Sequence, residues 1–251
     1  MLVFLIPLQS KRTSKDWALV SALVRRTLRS VLAQTHPDFR VYLICTDIPE
    51  LCPSHPAMTI VPRDFPEPEL GSRMLDKWTK VRIGLASIRS LAPCHVMVTD
   101  ADDCVSNRLA AHVSSNPHSF GWCFDEGWLH DERSRLIYRR RHGFDDIYGT
   151  SSIVRMDESD LPGSESDEKS DNIILRSGHT TIRRNMVERG TPLEILPFAG
   201  AVYNLATGEN WSPFSLRRWK SKKVLVKKLL GYRLLTRGIR TEFGLVDLEK
   251  E

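Results

Sequence analysis

The first hundred residues alternate strand-length apolar runs with segments of helical period, and this alternation narrows the fold more than any other feature. LVFLI at residues 2–6 is a continuous apolar run that stops at Pro7. Over residues 14–34, Leu19, Leu23, Val24, Leu28, Val31 and Leu32 recur at helical spacing behind a cap at Thr13 or Ser14. RVYLICTD then reads as a second strand ending at Asp47, and MTIVP as a third. Residues 74–90 have helical character, and HVMVT is a fourth strand. Strand and helix in alternation predict βαβ units around a largely parallel sheet. Ligands in such sheets sit beyond the carboxyl ends of the strands, where the strand order switches. The ends of strands one, two and four would therefore gather Gln9, Ser10, Asp47 and residues 100–103 around one crevice.

At 251 residues, 41% hydrophobic and 27% charged, the chain is long and apolar enough to bury a core, which excludes a disordered protein. It fits one large domain over residues 1–213 followed by a C-terminal segment, 214–251. The five cysteines form no CxxC pair and have no zinc-site spacing, so they read as reduced thiols of a cytosolic protein. MLVFLIPLQSKR has no basic region ahead of its apolar run and reads as a strand, not a signal peptide. No run approaches the roughly 18 apolar residues of a spanning helix.

Charge is unevenly placed. Residues 1–216 carry 25 Lys and Arg against 27 Asp and Glu, whereas residues 217–240 carry ten basic residues and no acidic one. Trp219, Val224, Leu225, Leu229, Leu230 and Leu234 are interleaved with those charges. Such a segment suits an interfacial helix on an anionic membrane surface, at the inner face of the membrane. A helix packed on the domain with a solvated basic face, or a polyanionic partner, are the alternatives. Nucleic acid is not expected, because the body is near neutral and carries no recognition motif.

The second half reads as short antiparallel strands, FGWCF, WLHDE and RLIYRR. Residues 157–172 are acidic and poor in large apolar residues, which predicts a mobile loop. A helix over 178–188 follows, then LEILPF and AVYNLA as strands.

The chemistry concentrates in VMVTDADDCV, where an apolar strand runs into Asp100, Asp102 and Asp103. Adjacent carboxylates repel unless a cation or hydrogen bonds offset the charge. Mn²⁺ or Mg²⁺, held by one or two carboxylates together with substrate phosphates, would do so. The alternative is a solvated turn whose aspartates cap a helix beginning near Asn107.

VFLIPLQS, RTLRSVLAQTHPDF, VYLICTD and VMVTDADD, in this order and spacing, resemble a nucleotide-diphospho-sugar glycosyltransferase of the GT-A fold, close to family 2. The resemblance covers roughly residues 2–113 well and the remainder loosely. It implies an α/β fold with a mixed, Rossmann-like sheet flanked by helices. It also implies a nucleotide-sugar donor and a glycan or lipid-linked acceptor. Asp100 would touch the ribose or the metal, Asp102 would coordinate the metal, and Asp103 would be a second ligand. Asp47 would bind the base, with Pro7, Leu8 and Ser10 lining its pocket. Lys77 or Lys80, in DKWTKVRIGL, would approach the diphosphate, unless they sit on a solvated helix face. Trp122 and Trp128 would stack on sugars or else belong to the core. Asn210 and Ser212 would close over the nucleotide.

One part of the pattern departs. Inverting transfer needs a base for the acceptor hydroxyl, and His179 and Thr180 stand where the family places an acidic pair. The base is then His179, or an acid such as Asp157, Asp171 or Asp125, or His179 is a metal ligand. Two other classes compete with sugar transfer. A nucleotidyltransferase would need a Gly-rich phosphate loop, which PLQSKRTSKDW lacks. A noncatalytic protein binding a sugar nucleotide or a membrane surface is the other.

Overall fold

The structure is a computed structural model that describes residues 1–64, 73–131, 134–168, 170–205 and 231–246. Among these, two mixed sheets are flanked by helices. The N-terminal half supplies β1 (Leu2–Pro7), α1 (Trp17–Leu32), β2 (Phe39–Cys45), β3 (Met58–Pro62), α2 (Arg73–Ser87) and β4 (Cys94–Val98). Strands β3, β2, β1 and β4 lie side by side in that order, all parallel.

Every residue of β1 is buried, as expected of a parallel strand covered on both faces. Phe4 and Ile6 face α1, meeting Val20, Val24, Leu28 and Val31 in one cluster. Val3 and Leu5 face the other way, into a cluster with Val81, Leu85 and Ile88 of the α2 side. Truncating one of these leucines to alanine would cost about 2–5 kcal/mol. Helix α1 starts later than expected. Its cap is Asp16, whose carboxylate accepts the Leu19 N–H at 3.0 Å. Ser14 is used in the preceding turn, where its hydroxyl donates to the Lys11 carbonyl at 2.7 Å.

Beyond β4 come β5 (Cys104–Val105), α3 (Leu109–Ser115), β6 (Gly121–Cys123), β7 (Gly127–Asp131), β8 (Leu136–Arg140) and β9 (Ser152–Met156). Then follow α4 (Ile173–Arg176), α5 (Ile182–Glu188), β10 (Glu194–Ile195), β11 (Ala201–Leu205), β12 (Tyr232–Leu234) and α6 (Arg237–Phe243). Strands β9, β6 and β10 extend the first sheet past β4, with β9 antiparallel to both β4 and β6. The second sheet runs β12-β8-β7-β11-β5.

Three expectations need correction. The acidic stretch 157–172 is built, not loose, because its acids find partners (residue 169 lies outside the described residues). Asp157 caps a 3-10 turn over Glu158–Asp160 through a reciprocal capping box. Arg89 donates to the carbonyls of Glu158 and Leu161, and Arg63 pairs with Glu165 at 2.6 Å. The helix expected over 178–188 is shorter: α5 begins only at Ile182, and a separate one-turn helix, α4, precedes the expected range and ends at Arg176. In the basic segment, residues 231–240 do not continue a single helix, because Tyr232–Leu234 pairs with β8 and Thr236 caps α6. Phe243 and Leu245, 1% and 3% exposed, are buried against Cys104 and Ile137. Residues 206–230, with Asn210, Ser212 and Trp219, lie outside the described residues. No described helix is long and apolar enough to cross a membrane. All five cysteines are free thiols.

Candidate functional site

The chain leaves β1 toward β2 on one side, while β4 lies on the other, so the strand order switches between β1 and β4. A cavity of about 330 Å³ opens at the carboxyl ends of these two strands. Pro7, Leu8 and Gln9 line it from the end of β1, and Asp100, Ala101 and Asp102 from the end of β4. Lys77, Trp78 and Lys80 of α2 and His179 from the turn before α5 complete its polar side.

The loop after β4 is held from four directions. The Asp103 N–H donates to the Asp100 carbonyl at 3.1 Å, closing a turn. The Thr27 hydroxyl of α1 donates to the Ala101 carbonyl at 3.0 Å. The Asp100 N–H donates to the Thr150 hydroxyl at 2.9 Å, and Asn204 of β11 donates its amide to the Asp102 carbonyl at 2.6 Å. The aspartates therefore do not cap the next helix: β5 intervenes, and α3 starts behind Arg108 with no side-chain cap. A turn tied this tightly fixes where its carboxylates point.

Lys77 supplies the counter-charge. Its ammonium bonds directly to the Asp100 carboxylate, with the two side chains 24% and 27% exposed. Burial works against the lysine's charge, but Asp100, Asp103 and Asp102 outweigh it and raise its pKa. Burial, followed by Asp100, pushes the Asp102 carboxyl up to about 6 against the opposing pull of Lys77 and Arg26. Asp103 is 1% exposed, and burial with its two acidic neighbours raises it well above the usual carboxylate range. Thr150 favours its charged form, yet neither Asp103 oxygen gains a well-formed hydrogen bond. The cluster carries more potential negative charge than Lys77 neutralises.

A divalent ion would offset this surplus. Among the described residues no group of three or more His, Cys, Asp or Glu side chains is arranged to hold a metal. The expected third ligand is lost because both Asp103 oxygens are sealed from the cavity. Asp100 and Asp102 remain on the cavity wall. Two carboxylates with substrate oxygens suffice for a Mg²⁺- or Mn²⁺-type site, so the residues present fit such an ion.

The other expected residues divide. Pro7, Leu8, Lys77, Lys80 and His179 are brought to the cavity. Lys80 is no solvated surface lysine: it is 1% exposed and pairs with Asp76 one turn back at 2.7 Å. Ser10 is not on the lining and hydrogen-bonds Thr13 at 3.1 Å. Asp47 is also off the lining, its carboxylate accepting the Lys11 N–H at 2.7 Å to brace the loop after β1. Asp171 lies outside, 81% exposed and paired with Arg176. Asp157 follows β9, whose Met156 pairs with Cys94 at the start of β4, so it sits at the opposite end of that strand from Asp100. Asp125 is occupied by His142 and the Gly143 N–H. Of the proton acceptors considered, His179 alone lines the cavity. Burial, then Lys77, holds its imidazole below the usual range.

Trp122 is core, 1% exposed and stacked on His95, and Trp128 carries Arg139 over its ring at 5.7 Å. Neither lines the cavity. The aromatic lining that sequence reasoning missed is Tyr148, Tyr203 and Trp78. The Tyr148 and Tyr203 rings meet at a tilt of 35° with centroids 4.3 Å apart, and burial pushes the Tyr148 phenol up to about 12. Burial and the three aspartates likewise raise Tyr203. Neither tyrosine is among the residues the sequence singles out, and the fold brings both to the cavity.

No family model matches this chain, and no curated protein matches it. Among solved structures it is similar to the 2-C-methyl-D-erythritol 4-phosphate cytidylyltransferase of Francisella tularensis. The identity is 13%, the TM-score is 0.45, and the alignment covers 92% of this chain and 99% of that one. The fold stated above rests on the strand order, not on this likeness.

Proposed function

We propose that the chain is a metal-dependent glycosyltransferase that takes a sugar from a nucleotide-diphosphate donor and passes it to a glycan or lipid-linked acceptor. The observation carrying this reading is the pair Asp100 and Asp102, turned into a cavity at the β1–β4 switch with a lysine beside them. When bound between these carboxylates, Mn²⁺ or Mg²⁺ would offset charge on the departing diphosphate. Lys77 lies within reach of the same phosphates, and Pro7 and Leu8 form an apolar wall for the nucleotide. His179 takes the acceptor's proton: an imidazole held below its usual range is neutral near pH 7, with a free lone pair to receive it. Transfer with inversion through an oxocarbenium-like state uses such a base on the acceptor side.

Nucleotidyl transfer is the weaker reading. Residues 8–16 contain no glycine, and their backbone is folded into its own Ser10–Ser14 turn bonds. The ten basic residues of 217–240 support work at an anionic surface at the inner face of the membrane.

Calorimetric titration with UDP-, GDP- and dTDP-sugars, each with Mn²⁺, Mg²⁺ or EDTA, tests this reading. One donor is expected to bind only with metal, and Asp102→Ala is expected to abolish that binding in a folded protein. Donor affinity indifferent to both metal and Asp102 would refute it.

A further inference from the structure

Lys77 is bonded to Asp100, one of the two cavity carboxylates that would hold a divalent ion. Its Nζ is bonded to the carboxylate, and the slot around the pair is closed on a third side by Gly149. A methyl group there would lie 2.9 Å from Asp100 Oδ2 and 3.5 Å from Lys77 Nζ. The slot thus admits the ion pair and little more. Lys77 also faces the cavity and is about a quarter exposed, so its flexible stem can swing toward a ligand. Asp102, the other carboxylate on the wall, has no hydrogen-bonded lysine of its own among the described residues.

We propose that Lys77 is a resident counter-ion that competes with the divalent cation for Asp100, and that donor diphosphate relieves this competition by drawing the ammonium onto itself. The inference rests on the proposed metal-diphosphate reading and adds an order of events: metal binds weakly to the free protein and tightly once donor is present. The physical basis is charge balance. The ammonium holds Asp100 Oδ1 while Gly149 crowds Oδ2, so a divalent ion approaching this carboxylate meets the ammonium at short range and is repelled by it. A diphosphate offers the lysine an alternative partner of higher charge. The coupling is reciprocal, since whatever donor does for metal, metal does for donor. Lys77 is then a positioning residue that links the two ligands.

The test is calorimetric titration of Mn²⁺ into the full chain without donor, comparing the parent with Lys77→Met and Lys77→Gln. Thermal unfolding confirms that each variant folds. If Lys77 competes, both variants bind Mn²⁺ about two- to fivefold more tightly than the parent, the scale of losing one partly exposed ion pair. Adding the nucleoside diphosphate should tighten Mn²⁺ binding in the parent and much less in the variants. Equal or weaker Mn²⁺ binding by the variants, with the parent binding normally, overturns the competition and leaves the metal site standing. No Mn²⁺ binding by the parent or the variants, with or without nucleoside diphosphate, overturns both. Should Lys77→Met fold poorly, its rise in melting temperature on adding Mn²⁺ gives a second readout. A rise no larger than the parent's would also count against the proposal.

Discussion

Asn204, in the middle of β11, donates its side-chain amide to the main-chain carbonyl of Asp102 at 2.6 Å, joining points 102 residues apart. Asn204 is fully buried, and this bond ties the second sheet to the loop that presents Asp100 and Asp102. Removing the amide leaves that carbonyl short of a partner, a loss of about 1–3 kcal/mol. Asn204→Ala should therefore lower stability to urea by that amount and weaken Mn²⁺ binding together with it. Unchanged urea stability would show that the bond contributes nothing to the loop.

Gly149 separates site geometry from stability. The first atoms an added methyl group would meet belong to the Asp100 carboxylate and the Lys77 ammonium, which are the ends of side chains and not backbone. Gly149→Ala should shift those groups while leaving the melting temperature nearly unchanged. Changing a group that orients a metal ligand commonly costs about 10- to 100-fold in metal affinity, and a loss of that order in Mn²⁺ affinity is the expected outcome. Retained affinity would mean that the carboxylate position is not critical.

The parallel half of the fold was legible in the sequence because its signals are local. A doubly covered strand such as β1 is a continuous apolar run, and α1 repeats its buried residues with helical period. The Asp100–Asp103 cluster was legible for the same reason. What could not be read is what depends on pairing across distance. Asp103 and Asp102 are neighbours of the same type, and only the packing of the loop seals one and exposes the other. Lys77 and Lys80 look alike in DKWTKV, yet one reaches Asp100 and the other turns to Asp76. Residues 157–172 looked loose because their acids meet Arg63, Arg89 and Arg189, which lie far away in the chain. The segment from Tyr232 looked like part of one basic helix because β8, its partner strand, lies about a hundred residues earlier.

His95 gives a pH dependence independent of the cavity's chemistry. It sits on β4, 2% exposed, stacked on Trp122 at 5.3 Å, and its Nε2–H donates to the Ser119 carbonyl at 2.9 Å. Burial lowers its pKa below the ordinary 6.5; the Ser119 bond opposes the shift, while the N-terminal amine and Arg155 add to it. In the unfolded chain the imidazole charges near 6.5, whereas in the fold it resists the proton. The stabilisation is therefore complete above pH 6.5 and is lost as the pH falls from there through the folded value. His112, packed against the same indole at 4.9 Å and also lowered by burial, contributes in the same direction. Asp102 and Asp103, whose carboxyls are raised by burial, act in the opposite sense over this range, so His95 is read from the difference between parent and variant in urea unfolding at pH 7.5 and 5.5. His95→Gln, which keeps an N–H donor but does not titrate, should lose measurably less between the two, with the remaining dependence including His112. An equal loss in parent and variant would show that His95 takes up its proton in the fold as readily as in the open chain.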